Sequence, residues 1–456
     1  MADEQKQLLG QIQEALDSGN AVGLGKLVNE QRSSDIAEVV ELVDNEQRRI
    51  IFDVLDKSIS AEVLEKVDEA TRREIFDFLE DHELKSLVAE LDADDAADIL
   101  MELPQQESAE FLEGIAPADS AQIQELMSYS EDSAGGIMDP VLIDVTENST
   151  VSEAIGKIRA AEIDEDFFSV YVVDNLGRFL GDVRIRLLLT SREDIKINSL
   201  IDPDTIYVTV DADQEEVRNI FSKNDLIVVP VLDADHKLAG RITADRVIEV
   251  AEEEAAEDMY TMAGTDADEL DDVSVLNAAR IRMTWLLPCL IGTGVTALVM
   301  MYFKTYDQTI YLAAVAFVPM IAAISGNAGL QTSTIVVTGL ATGHLAAQKL
   351  GQVFTREVRI ALLVALSCGV IGGIACSLLL HLKATNSDIE ALRLIAAFGT
   401  AMFSAIMVAT TLGLFLPFLF RRVGIDPAIS SGPLVTTAND SISVAIYMTL
   451  TLILTG

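Results

Sequence analysis

The order of polar and apolar positions along this 456-residue chain changes rhythm twice. From residue 38 apolar residues recur at helical spacing in short blocks. "EVVELVDNEQRRIIFDVLD" (38–56) matches "EVLEKVDEATRREIFDFLE" (62–80) at 11 of 19 positions, with a period of 24. "SLVAELDADDAADILMELP" (86–104) keeps apolar residues at Leu87, Val88, Leu91, Ile99, Leu100 and Leu103. A degenerate fourth block begins near Glu110 with Phe111, Leu112, Ile115 and Ile123. Each block reads as two short helices whose apolar faces need a neighbour, which predicts an α-solenoid over residues 1–129. The rhythm then becomes strand, turn, strand, helix, twice: 169–189 and 228–248, offset by 59. Asp174 matches Asp233, Gly181 matches Gly240, and an amphipathic helix precedes each copy (152–160 and 214–223). Last come five apolar runs, about 284–303, 309–342, 358–382, 394–420 and 434–455. Each reaches the roughly 20 residues that a helix needs to cross a bilayer. The second and fourth are longer than needed and must tilt, bend or project.

Charge divides the chain in the same way. Residues 1–283 hold 24 basic and 67 acidic side chains, a net −43, whereas 284–456 carry about +2. Such acidity excludes nucleic acid as a partner, because phosphate contacts need Lys and Arg. It favours cations, or simply a saline habitat. The N-terminal stretch is an acidic amphipathic helix rather than a signal peptide, which predicts a cytosolic front. With that orientation Arg280, Arg282, Lys349, Arg356, Arg359, Arg421 and Arg422 lie inside, against Lys304, Lys383 and Arg393 outside. The excess inside agrees with five spans and an extracytoplasmic C-terminus. The three cysteines show no metal spacing, and no nucleophile–base pair or phosphate loop marks an enzyme.

Between strands and spans, residues 252–272 hold ten acidic residues and no basic one. Glu254, Glu257 and Asp258 share a helical face, where like charges repel. This stretch is either a solvated linker or a cation-loaded element beside the membrane entry.

Polar residues inside the spans gather in two places. "PMIAAISGNAGLQTST" (319–334) sets Asn327 and Gln331 one turn apart between and beyond Gly326 and Gly329, as packing glue or as ligands to a hydrated ion. In "GIDPAISSGPLVTTANDSISV" (424–444) Pro427 and Pro433 bracket the entry to the fifth span, with Asp426 and Gly432 at the cytosolic mouth. Thr436, Asp440 and Ser443 follow at helical spacing, with Asn439 on an adjacent face. A carboxylate at mid-span costs about 2.5–3.5 kcal/mol, so it marks a watery path or a buried partner. No Lys, Arg or His lies deep in any span to form an ion pair with Asp440. A cation site is favoured, with Asp440, Asn327, Thr436 and Asn439 as its expected ion-binding residues and a proton relay as the alternative. Carboxylate, amide and hydroxyl groups are hard ligands that suit Mg2+, Ca2+ or Mn2+. Mg2+ keeps several waters, so two Asp440 side chains opposed across a symmetric dimer would suit it.

The strand–helix repeat resembles a tandem pair of cystathionine-β-synthase (CBS) domains, which sense small ligands. Taken in order, the whole chain resembles the MgtE family of magnesium channels. Specific matches are "SEDSAGGIM" (130–138), "EEEAAEDMYTMAG" (252–264), "GNAG" (326–329) and "GIDPAISSGPLVTT" followed by Asp440. The resemblance implies a multidomain membrane protein: an α-solenoid over 1–129, tandem α/β CBS domains over 130–250, an acidic connecting (plug) helix over 251–283 and a five-helix pore domain over 284–456. It further implies a homodimer in the inner membrane with an Mg2+ path at the interface, Asp440 as selecting carboxylate and Asp426, Gly432 and Pro433 at the cytosolic gate. Regulatory Mg2+ would bridge Glu215, Asp225, Glu254, Glu257 and Asp258, with Asp94, Asp95 and Asp98 from the solenoid, and close the plug. Arg246 departs from the family, which commonly carries an acidic residue there, with Glu249 three positions on. One regulatory site is thereby lost or replaced by an ionic contact. "RIRLLL" (184–189) lacks the usual Asp, which weakens the case for ATP. A broader divalent carrier or a cation-coupled exporter of the same fold is the alternative, and a non-transporting membrane sensor would leave Asp440 unexplained.

Overall fold

Aspartate caps set the period of the first part of the chain. Asp44 caps Asn45–Phe52 in a capping box with Gln47, and Asp68, 24 residues on, caps Glu69–Phe78 by accepting the Thr71 N–H at 2.6 Å. Arg48 and Arg72 are also 24 apart. Each donates Nε to a carbonyl ending the preceding helix, Val40 at 2.7 Å and Leu64 at 2.9 Å, and pairs with a later glutamate, Glu74 or Glu102. Helix ends leave carbonyls without intrahelical partners, and these arginines satisfy them while stapling one helix pair to the next. Ile36, Val40, Ile51, Leu64, Ile75, Ile99 and Leu100 fill the solenoid core.

The computed structural model describes residues 2–161, 167–269, 274–342, 345, 350–382 and 391–455. They fall into two units, Met1–Glu252 and Glu253–Gly456. In the first unit the solenoid is followed by two matching sheets. Strands β1 (Asp144–Thr146), β2 (Ser169–Val173) and β3 (Phe179–Arg184) form one, and β4 (Val208–Thr209), β5 (Val228–Leu232) and β6 (Leu238–Thr243) the other. In each the first pair is parallel and the second antiparallel, joined by a crossover helix, Val151–Ala160 or Gln214–Asn224. The matched aspartates make the same turn: Asp174 accepts the N–H of Leu176 and Arg178, and Asp233 that of Asp235 and Lys237. An acidic helix, Ala244–Ala263, continues from β6.

The second unit holds the membrane-spanning helices. Among the described residues five helices are long and apolar enough to cross a bilayer. The first, Val275–Lys304, starts before its apolar run, because Arg280 and Arg282 are good helix formers that extend it into water. The second run is broken: a short helix Gln308–Ala314 and a 3-10 turn Val315–Phe317 precede the long helix Val318–Ala341, whose Pro319 sits in the first turn where no N–H is needed. The third is Leu350–Leu382 and the fourth Ala391–Arg422. The fourth is about 48 Å long at 1.5 Å per residue, so it projects beyond the hydrocarbon. The fifth is Pro433–Thr455. A Cβ at Gly413 would lie 2.3 Å from the Gly329 carbonyl oxygen, so these glycines bring the fourth and second helices into backbone contact. Lys349, Lys383 and residues 270–273 of the acidic stretch lie outside the described residues.

Candidate functional site

The N-terminal entry to the fifth helix is a capped turn. Asp426 accepts the Ala428 N–H at 2.8 Å and so caps the 3-10 turn Pro427–Ser430, while the residue itself stays exposed. Gly432 follows with φ +61°, and a Cβ there would stand 2.1 Å from the Met262 carbonyl oxygen. Gly264, at φ +81°, is as tightly placed: its Cβ would stand 2.7 Å from Pro433 Cγ. The end of the acidic helix therefore rests on Gly432 and Pro433. Glu269, just beyond it, accepts hydrogen bonds from Arg282 of the first helix and from Thr265. The Arg282 bond is the larger cause that holds the Glu269 carboxyl below its ordinary value. A cavity of about 360 Å³ lies here, lined in part by Tyr260, Gly264, Asp266 and Leu286.

Two turns into the fifth helix stands Asp440, half-buried, with no hydrogen bond among the described residues. Gly326 of the second helix faces it: a Cβ there would lie 3.8 Å from Asp440 Oδ1 and 3.7 Å from Thr436 Cγ2. Asn327 and Gln331 point outward and are exposed on the single chain. Asn439 does something different from its neighbour. Fully buried, it donates Nδ2–H to Ser325 Oγ at 2.8 Å and accepts from Ser443 Oγ at 2.9 Å. Ser443, placed with Asp440 by its spacing, is thus turned toward the second helix instead. On the other flank Ser441 donates to the Gly292 carbonyl at 3.2 Å and lies 2.7 Å from Thr296 Oγ1. Neither Ser325 nor the Gly292–Ser441 contact stood out in the sequence, because each partner lies more than a hundred residues away. Glu357, which the sequence reading did not single out, is buried inside the third helix, and its Oε1 has no hydrogen-bond partner among the described residues.

In the first unit Asp94, Asp95 and Asp98 line one short helix, Ala93–Met101. Burial first, then the charge of Asp139, pushes Asp94 up to about 7. Burial and then Asp94 push Asp95 to about 8. Asp98 is raised by burial against the opposing pull of Arg246, which donates to its Oδ2 at 2.8 Å and to Glu249 at 3.1 Å. Of the two outcomes open for Arg246, the structure shows the ionic contact. Glu215 pairs with Arg218 at 3.3 Å, and Asp225 ends its helix at φ +50°. On the acidic helix Glu254 and Asp258 are half-buried and Glu257 is exposed. Among the described residues, no three His, Cys, Asp or Glu side chains of one chain converge to hold an ion.

Comparison with known proteins follows the same division. A family model described as a divalent cation transporter matches residues 318–450, the MgtE intracellular N domain matches 31–132, and a CBS domain matches 197–253. The chain is 30% identical to the magnesium transporter MgtE of Thermus thermophilus, over 98% of both chains. It is 32% identical to that of Enterococcus faecalis, over 73% of this chain and 71% of the relative. Among solved structures, the cytosolic domain of the Mg2+ channel MgtE in complex with ATP matches with TM-score 0.51 and 30% identity, covering 53% of this chain and 99% of that one.

Proposed function

The chain belongs to the MgtE family of magnesium transporters, and from that premise we propose that it conducts Mg2+ across the inner membrane, down its gradient, and closes when cytosolic Mg2+ is plentiful. The observation that carries this reading is Asp440: a half-buried carboxylate inside a spanning helix, given no hydrogen bond by the described residues of its own chain, beside a glycine that leaves room next to it. Charge placed at such depth at a cost of several kcal/mol calls for a compensating cation. Mg2+ as cargo, still hydrated, meets hard oxygen ligands there, with Thr436 on the same face.

One carboxylate is too few to strip Mg2+ of its water, and the exposed Asn327 and Gln331 would be costly in lipid. Two copies packed as a homodimer, each contributing Asp440, answer both. The N-terminal units then lie in the cytosol and the C-terminus outside. Closure is assigned to the acidic helix, whose end already packs on Gly432 and Pro433, next to the Asp426 turn. Its control by cytosolic Mg2+ is supported by the charges at Asp94, Asp95 and Asp139: these acids oppose one another without converging, among the described residues, into a ligand set of their own, and a hard cation held with further ligands would relieve that opposition. Glu215, Asp225, Glu254, Glu257 and Asp258 belong to the same regulatory set. Arg246 supplies a fixed positive charge to Asp98 and Glu249, so that part of the contact needs no metal. The case for ATP is weakened in the first CBS repeat, where the helix after β3, Ile185–Thr190, follows Arg184 and offers no acidic side chain.

The test is growth of cells lacking their own Mg2+ uptake, at limiting Mg2+. Rescue by the chain, with Mg2+ accumulation exceeding that of Co2+ or Mn2+, is the expected result. Accumulation of Co2+ or Mn2+ in preference to Mg2+ would replace this reading with the broader carrier.

A further inference from the structure

Asn439 and Asp440 are neighbours in sequence with opposite fates, and the reason lies in how the fifth helix is held. Successive residues of a helix step about 100° round its axis. The line through Thr436 and Asp440 is therefore flanked about 100° away by Thr437 and Ser441, and about 60° away on the other side by Asn439 and Ser443. Both flanks are tied down. Ser441 bonds the Gly292 carbonyl and Thr296 of the first helix, and a Cβ at Gly292 would stand only 2.2 Å from Thr437 Cγ2. Asn439 and Ser443 bond Ser325 and each other, with all three residues fully buried. Ser325 in turn donates to the Ile321 carbonyl of its own helix at 2.8 Å. Between the two tied flanks, Asp440 has no hydrogen bond among the described residues and faces Gly326, the residue after Ser325.

We propose that Asn439, with Ser325 and Ser443, is a positioning device that fixes the rotation of the fifth helix so that Asp440 faces the ion path, and thereby sets discrimination among divalent ions. Asn439 does not itself touch the ion. An amide suits this task because it donates to one hydroxyl and accepts from another, and leaving either group unpaired in a buried site is costly. A leucine of similar volume offers neither bond, and the helix is then free to turn by some tens of degrees, which moves a carboxylate relative to a path only a hydrated ion wide. The neighbouring Gly326 adds to the argument: only a residue without a side chain leaves open the space that this rotation aims the carboxylate into.

This inference rests on the reading of Asp440 as the permeation carboxylate, and its test separates the two. Full-length protein is reconstituted into liposomes, and Mg2+ and Ca2+ entry are measured for wild type, Asp440→Asn, Asn439→Leu, Ser443→Ala and the exchange Ser325→Asn with Asn439→Ser. Asp440→Asn conducting Mg2+ normally removes the underlying reading. With Asp440→Asn inactive, the expected result is a Mg2+/Ca2+ ratio reduced about tenfold in Asn439→Leu, the worth of one lost buried hydrogen bond, and partly restored by the exchange, which returns an amide and a hydroxyl to the same interface. An unchanged ratio in Asn439→Leu overturns the proposal. Should that variant not yield folded protein, Ser443→Ala decides: a lowered ratio supports the positioning role and an unaltered one overturns it.

Discussion

Asp94 and Asp95 hold their charge reluctantly, which gives the first unit a pH dependence opposite to that of an ordinary salt-bridged carboxylate. Burial and neighbouring acids raise their pKa values from the ordinary 3.8 to about 7 and about 8 in the folded chain. A raised acid favours the folded state fully only below its unfolded pKa, and that contribution is lost as pH climbs through the folded one. The contact made by the helix Ala93–Met101 therefore loosens between about pH 4 and pH 8, and Mg2+ or Asp94→Asn with Asp95→Asn should abolish the slope. Hydrogen exchange of that helix at pH 6 and pH 8 measures it; equal protection at both contradicts the assignment. Arg246→Gln should remove the metal-independent part of the same contact, an effect of about 1 kcal/mol or less given the partial exposure of both partners. Exchange of Ala93–Met101 in chelator should then speed up, and added Mg2+ should slow it again. The sequence offered these acids only through the family resemblance, as solenoid candidates, and it marked Arg246 as unusual. Its partner Asp98 lies 148 residues earlier, and only the fold brings them together.

Glycines carry the close approaches between elements. Gly432→Ala must accommodate a Cβ that would lie 2.1 Å from a backbone oxygen at Met262, at a φ that L-residues enter at a cost of about 1–2 kcal/mol. Displacing the acidic helix from the gate is the expected outcome, read as Mg2+ leak at cytosolic concentrations that close the wild type; tight closure would show that this contact does not gate. Gly413→Ala, pressing on the Gly329 oxygen, should instead cost about 1–3 kcal/mol of membrane-domain stability without bypassing the gate. Thermal aggregation in detergent measures that loss. Helix and span positions were legible from periodicity and run length, because the apolar face and the bilayer thickness act locally. The break before Pro319 and the early start at Val275 were not, since apolar run length does not report where a helix bends or how far it extends into water. The motif "GNAG" drew attention to Asn327, whereas in the fold its glycines make the contacts, Gly326 with Asp440 and Gly329 with the fourth helix.

A net −43 in the first 283 residues opposes any compact arrangement of the N-terminal region, and monovalent salt at physiological strength leaves repulsion within about 8 Å largely unscreened. Divalent ions that bridge carboxylates act more strongly than that. Millimolar Mg2+ should therefore protect the solenoid, CBS and acidic-helix region from protease at ionic strengths where NaCl does not; equal digestion with and without Mg2+ would contradict Mg2+ control, whatever the pore does. The division into a charged front and an apolar back was visible from composition alone, as was the candidate carboxylate. What composition could not show is which neighbours of Asp440 are already satisfied, because that depends on the packing of three helices. The most direct measurement is Mg2+ flux through the reconstituted full chain and its Asp440→Asn variant, each at low and high Mg2+ on the cytosolic face. The wild type should conduct at low Mg2+ and fall silent at high Mg2+, and the folded variant should conduct at least about tenfold less than the wild type at low Mg2+, a loss of 1.4 kcal/mol or more, and stay silent at high Mg2+. Asp440→Asn carrying Mg2+ at the wild-type rate would contradict the account.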